Sequence, residues 1–331
     1  MTAAAGKRQV KPAHLLGVLG VAAAVAFLLS LAIGPAGFGI DATGEARTLI
    51  FMEIRLPRAI LGALIGAALG LSGAALQGYL RNPLAEPTLV GVSGGAALGA
   101  VLAIHLGLTQ LIALALPLGG LAGAAVAMLA VVALAGAQGG SLTLILAGLA
   151  VSSIATALIS LALNLSQNPF ASVEMVFWMM GSLADRSLTQ VWLSAPLMLG
   201  GMALLLTVGR ALDAMTLGED AAMSLGIDLQ RTRLMVIAGT ALSVGAATAV
   251  AGIIGFVGLI VPHALRPLAQ HRPGLLLPAS MLGGAVMLLV ADVGLRVAQP
   301  WMDLRIGVLT ALLGAPFFVW LVLRTRAELA P

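Results

Sequence analysis

Charge is scarce in this sequence, and where it occurs its spacing suits pairing and docking rather than bond-breaking. "RLPR" sets Arg55 and Arg58 three residues apart, on one face of a helix that has already begun, and "ADVGLR" sets Asp292 and Arg296 four apart on a shared face. A charge within a membrane helix costs roughly 2.5–3.5 kcal/mol at the bilayer centre. Asp292 is therefore expected to turn toward protein and to pair with Arg296 or a backbone donor. In "LDAMTLGEDAAMSLGIDLQRTR" (212–233), Glu219 and Asp220 occupy what would be a first helical turn, where the dipole favours acids. Leu217, Ala221 and Leu225 recur every fourth residue there, and Gly226 suits a C-terminal cap, so a short amphipathic helix is expected around 218–226. Ser152, Thr156, Ser160 and Asn164 form a polar stripe at i+4 steps through "LTLILAGLAVSSIATALISLALNLS".

Covalent chemistry finds no comparable assembly. No nucleophile and base can be set together, there are no cysteines, and His14, His105, His263 and His271 share no ligand-like spacing. Met175, Met179 and Met180, beside Phe177 and Trp178, read as interface packing rather than as axial ligands. Lys7 and Lys11 are the only lysines, and neither follows the glycine-rich loop that a Walker A motif requires. The chain is expected to be no enzyme, to hold no metal or cofactor, and to hydrolyse no ATP by that route. Any ATP and magnesium would sit on a partner.

The elements that carry these residues are membrane helices. Hydrophobic residues make up 60% of the 331 and charged ones 9%, with a mean hydropathy of +1.08; a soluble domain carries about 25% charged residues. A crossing takes roughly 20 apolar residues. Apolar runs predict about ten, near 14–33, 57–79, 92–107, 110–134, 142–164, 190–209, 234–250, 254–268, 275–297 and 306–323. The fold class is thus all-α and polytopic, one domain over 1–331, with residues 1–13 as a tail. Alternation of the β-barrel kind is absent. The first run is too long for a signal peptide core, and no cleavage site follows it. The stretch 234–268, broken by Gly252, Gly255 and Gly258, is too long for one crossing and leaves room for a re-entrant turn. With ten spans, eleven basic residues fall on the side of the termini and six on the other, so both termini are expected in the cytoplasm. The net charge of +4 then reflects membrane anchoring, with no contiguous basic patch for nucleic acid.

Two further patterns bear on packing. Gly62, Gly66 and Gly70, extended by Gly73, make a small-residue row on span two that lets another backbone approach. Spans two and seven share an arginine start, a Gly/Ala middle and a Pro–Arg exit in opposite directions, the mark of an inverted repeat. After span two, "YLRNPLAEPTLVGVSGG" (79–95) interrupts the apolar chain with Arg81, Asn82, Glu86 and two prolines. Pro83 and Pro87 forbid a continuing helix there.

That stretch, together with "RLPRAILGALIGAALGLSGAALQGYLRNPLAEP", "GFVGLIVPHALRP" (255–267) and "RIGVLTALLGAPFFVWLVLR" (305–324), resembles the FecCD-type permeases, membrane subunits of ATP-driven importers of cobalamin, haem and ferric siderophores. The resemblance runs from about residue 46 to 326. It implies a cobalamin-importer-permease-like fold of ten helices and a homodimer with its path at the interface. It also implies two ATP-binding-cassette ATPase subunits, a periplasmic substrate-binding protein, and residence in the bacterial inner membrane. It places a coupling helix within 210–233, which assigns Leu217, Gly218, Glu219, Asp220, Ala221, Leu225 and Gly226 to the ATPase contact. Two acids there argue against a helix lying on lipid headgroups, which would carry Lys and Arg. It matches Arg55, Arg58 and Arg296 to arginines that receive acids of the binding protein; headgroup anchoring is the competing reading for Arg55 and Arg58. It sets the stripe Ser152, Thr156, Ser160 and Asn164 beside the translocation path, against the competing reading of helix–helix hydrogen bonds. "NPFASVEMVFWMMGSLADRSL" is similar to haem-type relatives, which favours haem over a siderophore or cobalamin. An ion-coupled secondary transporter is the alternative; it would need buried carboxylates on the path, and Asp292 alone qualifies.

Overall fold

The computed structural model describes residues 11–34, 37–39, 43–136, 140–299, 301–302 and 304–329. Residues 1–10 of the expected tail lie outside them. Helix α1 (Pro12–Ala32) opens on a proline, whose missing N–H costs nothing in a first turn. It ends in a two-residue antiparallel ribbon, β1 (Ile33–Gly34) with β2 (Gly37–Phe38). Helix α2 (Gly44–Leu49) then runs through a π-helical turn, Ile50–Arg55, into α3 (Leu56–Tyr79). At that junction the Leu56 N–H bonds the Phe51 carbonyl five residues back. Pro57 follows directly, and a proline cannot donate to the ordinary ladder.

A 3₁₀ turn at Pro87–Val90 leads to α4 (Val92–His105), and a single turn α5 (Leu108–Leu111) leads to α6 (Ala115–Ala135). Helix α7 (Ser141–Leu165) carries the polar stripe; α8 (Pro169–Met179) and α9 (Leu188–Thr207) follow. Two short helices, α10 (Gly209–Met215) and α11 (Glu219–Ser224), precede α12 (Leu229–Ala251). The chain ends with α13 (Val257–Leu265), α14 (Pro273–Ala298) and α15 (Ile306–Leu329).

Among the described residues eight helices are long and apolar enough to span a membrane, the α2–α3 rod counting as one. Each of the ten apolar runs forms a helix, but two of them are short. Helix α4 has 14 residues and α13 has 9, about 21 Å and about 14 Å of rise against a hydrocarbon core of roughly 30 Å. The expected crossing at 254–268 is corrected to this half-length helix. Gly252 (φ +75) and Phe256 (φ +67) break it from α12, because left-handed residues cannot continue a right-handed helix. The two short helices follow span two and span seven, the two spans whose sequence patterns run alike in opposite directions. Short or interrupted spans in corresponding halves are where transporters place their sites.

The rod α3 and helix α12 are the two most enclosed spans. Helix α3 packs on α14 through its glycine row: Gly66 faces the Gly284 carbonyl, Gly70 faces that of Ser280, and Gly73 turns instead to Gly258 at the start of α13. A methyl group on Gly73 would run into the Gly258 carbonyl oxygen. Gly73→Ala is expected to cost about 1–3 kcal/mol, read as a lowered unfolding midpoint in detergent. Gly20→Ala, at a helical position with nothing within 4 Å, should leave the midpoint in place.

Candidate coupling and translocation sites

The interruption after span two folds as a clamp between the two short helices. Asn82 accepts the Leu84 N–H at 2.9 Å, turning the chain at Pro83. Gln77, buried in the last turns of α3, donates to the carbonyls of Ala85 (3.3 Å) and Gly258 (3.2 Å) and accepts from Arg266 at 2.6 Å. The Glu86 carboxylate, itself partly buried, accepts the backbone N–H of Phe256. Burial pushes the Glu86 carboxyl above the usual carboxylate range, against the stabilising hydrogen bonds from Phe256 and Thr88. The Phe256 ring lies against Gly314 of α15, where a side chain would not fit. Farther on, Gly91 rests on Gly148 and Val151 of α7, about 10–15 Å along that helix from its start. The loop therefore dips between the helices rather than lying flat on the surface. Beside it opens an apolar cavity of about 730 Å³, lined by Glu86 and Phe256 at one end, Met179, Met180 and Gly307 at the other, and Leu312 along α15.

On the same side of the chain lies α11, shorter than the expected 218–226. Gly218 (φ +107) precedes it, and Gly226 (φ +81) closes it while the Ile227 N–H returns to the Ala222 carbonyl at 3.0 Å. Ala222 is the buried anchor; Ala221 is half-buried, and Glu219 and Asp220 are exposed. Leu217 and Leu225 are 71% and 64% exposed, so two of the three residues in the apolar stripe point out of the chain. Arg81, in a left-handed conformation at the start of the clamp, bonds Glu219 at 2.5 Å. The pair is exposed and adds little stability, but it joins α11 to the loop that lines the cavity.

At the other end of the bundle the expected pairing of Asp292 with Arg296 (2.7 Å) is present, and Arg58 adds a bidentate contact with Nη2 at 2.8 Å. Arg296 also donates to the Ser30 and Ile33 carbonyls (2.7 and 2.8 Å), and Arg55 donates to those of Leu31 (2.9 Å), Ala32 (2.8 Å) and Gly39 (2.5 Å). The arginines thus fasten α1 and its ribbon to α3 and α14. Arg55 and Arg296 are buried, Arg296 with five hydrogen bonds and Arg55 with three inside the bundle; Arg58, 16% exposed, keeps an open edge.

The stripe on α7 is half-buried at Ser152 and exposed at Thr156, Ser160 and Asn164. The Thr156 and Ser160 hydroxyls each donate to the carbonyl four residues back, at 2.9 Å. Among the described residues, neither hydroxyl donates to another helix. Gln77, Phe256 and Arg266 were not singled out in the sequence as site residues; the lone amide near the end of an apolar span was the available signal for Gln77. Among the described residues no three His, Cys, Asp or Glu side chains gather to hold a metal. His263 instead stacks edge-on against Phe317 and Trp320, with ring centroids 5.5 and 6.3 Å away.

Taken over its whole length, the chain is similar to known proteins. The ABC transporter permease protein YvrB of Bacillus subtilis is 42% identical over 297 residues, 87% of this chain and 83% of that protein. The vitamin B12 import system permease protein BtuC of Salmonella typhimurium is 41% identical over 307 residues, 91% of this chain and 92% of its own length. An inward-facing ABC transporter of metal-chelate type superposes with a TM-score of 0.80 at 32% identity, covering 93% of this chain and 98% of that one. A helix-only, multi-pass build belongs to the inner membrane rather than among the barrels of the outer one. The model of the FecCD transport family matches residues 22–324, and the chain belongs to that family of ABC-transporter permeases.

Proposed function

We propose that two copies of this chain, with both termini in the cytoplasm, form the path of an importer that moves a bulky metal chelate from periplasm to cytoplasm. Two separate ATP-binding-cassette subunits, holding ATP and magnesium, supply the force. The observation that carries this reading is the outward stripe of α11, tied through Glu219 and Arg81 to the clamp beside the cavity. An apolar face with acids at its start, projecting from a membrane bundle, suits insertion into a cleft of a partner. A rigid displacement of Leu217, Gly218, Glu219, Asp220, Ala221, Leu225 and Gly226 would pull directly on Arg81. A periplasmic binding protein delivers the chelate at the Asp292 end, where Arg58 offers its exposed edge and Arg55 and Arg296 hold the surface firm from behind. Ser152, Thr156, Ser160 and Asn164 face the second copy along the path, where hydroxyls already satisfied within the helix would let a ligand slide. Similarity to a vitamin B12 permease and to a metal-chelate transporter supports the cargo class; the 168–188 segment favours haem within it.

Replacing Glu219 with lysine and Ala221 with tryptophan is expected to lower ATP-driven uptake by about tenfold or more, on the scale of 1–3 kcal/mol for coupling between sites, while the ATPase keeps turning over. Unchanged coupling in proteoliposomes would remove the basis of the reading. An ion-coupled mechanism is disfavoured by the ion pairs of Asp292 to two arginines. Uptake abolished by an ionophore yet indifferent to ATP would restore it.

A further inference from the structure

Arg186 and Arg305 take no part in the networks described above. Leu183 sits beneath Gly62, one turn inward of Arg58, so the 180–187 segment lies in the Asp292 half of the bundle. Arg305 immediately precedes α15, and Gly307 holds that turn tightly against the carbonyls of Met180 and Ile253. Its guanidinium lies 5.4 Å over the ring of Phe177 on α8, and its buried Nε has no partner among the described residues. The Arg186 Nε makes a single long bond to the Ser182 carbonyl at 3.3 Å. Burial pulls the Arg186 pKa below its ordinary value; the neighbouring charge of Asp185 opposes this and that of Arg305 adds to it. Both arginines are thus tied to the segment around Met180, Arg186 through the Ser182 carbonyl and Arg305 through the turn at Gly307, and Met179, Met180 and Gly307 line the apolar cavity.

We propose that Arg186 and Arg305 form a carboxylate-binding mouth at that cavity, and that the chelate carried joins carboxylate groups to an apolar body. This deepens the importer reading and rests on it. A carboxylate placed between the two would accept from the Arg305 Nε and offset both positive charges, and charge-assisted bonds of this kind are about twice as strong as neutral ones. The ring of Phe177 orients Arg305 from below and offers a flat ligand an aromatic edge. Met179, Met180, Val308 and Leu312 would then take the apolar body. A chelate fringed with uncharged amides can offer the guanidiniums carbonyl acceptors but no compensating negative charge, and gains less from them.

The test uses the full chain in lipid nanodiscs, with empty nanodiscs as the blank, and quenching of its tryptophan fluorescence as the readout. The probes are iron protoporphyrin IX, which carries two carboxylates, its dimethyl ester, and cobalamin. The parent is expected to bind the diacid about tenfold more tightly than the ester, since a hydrogen bond to a charged group is worth about that much. Arg186→Gln and Arg305→Gln together should reduce the preference to less than about threefold, with affinity for the ester unchanged as a check that the fold is intact. No preference in the parent, or a preference that survives both replacements, would overturn the proposal. So would tight cobalamin binding indifferent to both arginines. Replacements that weaken only the capture of a periplasmic binding protein, leaving the preference intact, would show that the arginines receive protein carboxylates instead. Uptake that needs no ATP, with the carboxylate preference intact, would overturn the importer reading and leave this site standing.

Discussion

Asp292→Ala is expected to destabilise the protein by about 3–5 kcal/mol, the usual cost of removing one partner from a buried ion pair. Asp292 is 1% exposed and lies between Arg58 and Arg296, the latter 2% exposed. Without the carboxylate, two guanidiniums remain in a medium of low dielectric with no anion between them. Arg296 keeps its bonds to the Ser30 and Ile33 carbonyls, but a carbonyl dipole offsets only part of a full charge. The loss should show as reduced yield of folded protein and a lowered unfolding midpoint in detergent. Asp292→Asn, which keeps an acceptor and the volume but not the charge, should fall between parent and alanine. Replacing Arg58, Asp292 and Arg296 together with methionine, leucine and methionine should recover most of the loss, since an apolar cluster of similar volume often matches a buried ion network. A midpoint for Asp292→Ala within about 1 kcal/mol of the parent would mean that the charges are already relaxed by water.

The same network marks how far the sequence could be read. The i+4 step from Asp292 to Arg296 follows from helical geometry alone, and the pair is there. That Arg58 would join from 234 residues away depends on how α3 crosses α14, which no local pattern encodes. The glycine row on span two was legible as a close-approach surface because small residues are what such a surface needs. Its partners were not: Gly66 and Gly70 meet α14, while Gly73 meets α13. Each apolar run marked a helix, since hydropathy reports burial in lipid, while short helices such as α8 and α10 lay between the runs. The runs could not give the depth reached by α4 and α13, which is set by backbone breaks. One of those breaks is Phe256, and a bulky residue at φ +67 carries no sequence signal because that conformation ordinarily selects glycine or asparagine. Glu86 stood out as a charge in an interrupting loop. Its N–H partner, fixed by that hidden break, did not.

Glu86 carries the second large effect. Glu86→Ala is expected to cut ATP-driven uptake by roughly 5- to 150-fold, because a buried donor left without a partner costs about 1–3 kcal/mol and a coupling of that size scales rates accordingly. The orphaned group would be the Phe256 N–H, and with it goes the contact that holds Phe256 against Gly314 on α15. The Gln77 clamp and the Arg81–Glu219 pair do not depend on Glu86, so basal ATP hydrolysis by the assembled partner should continue. Glu86→Gln, which still presents an oxygen to Phe256, should retain most of the uptake. Its pH dependence should differ from that of the parent. Burial raises the Glu86 carboxyl above its ordinary value, so the folded state holds the proton more tightly than the unfolded one. The contribution to stability is then complete below the ordinary glutamate value of about 4.3. It declines as pH climbs to the raised value and is flat above it. Glutamine has no such slope. Unfolding midpoints measured from acid to neutral pH should therefore show the parent losing ground to Glu86→Gln as pH rises. Parallel curves would mean that Glu86 titrates as a solvated carboxylate, and the clamp would then have to be held by Gln77 alone.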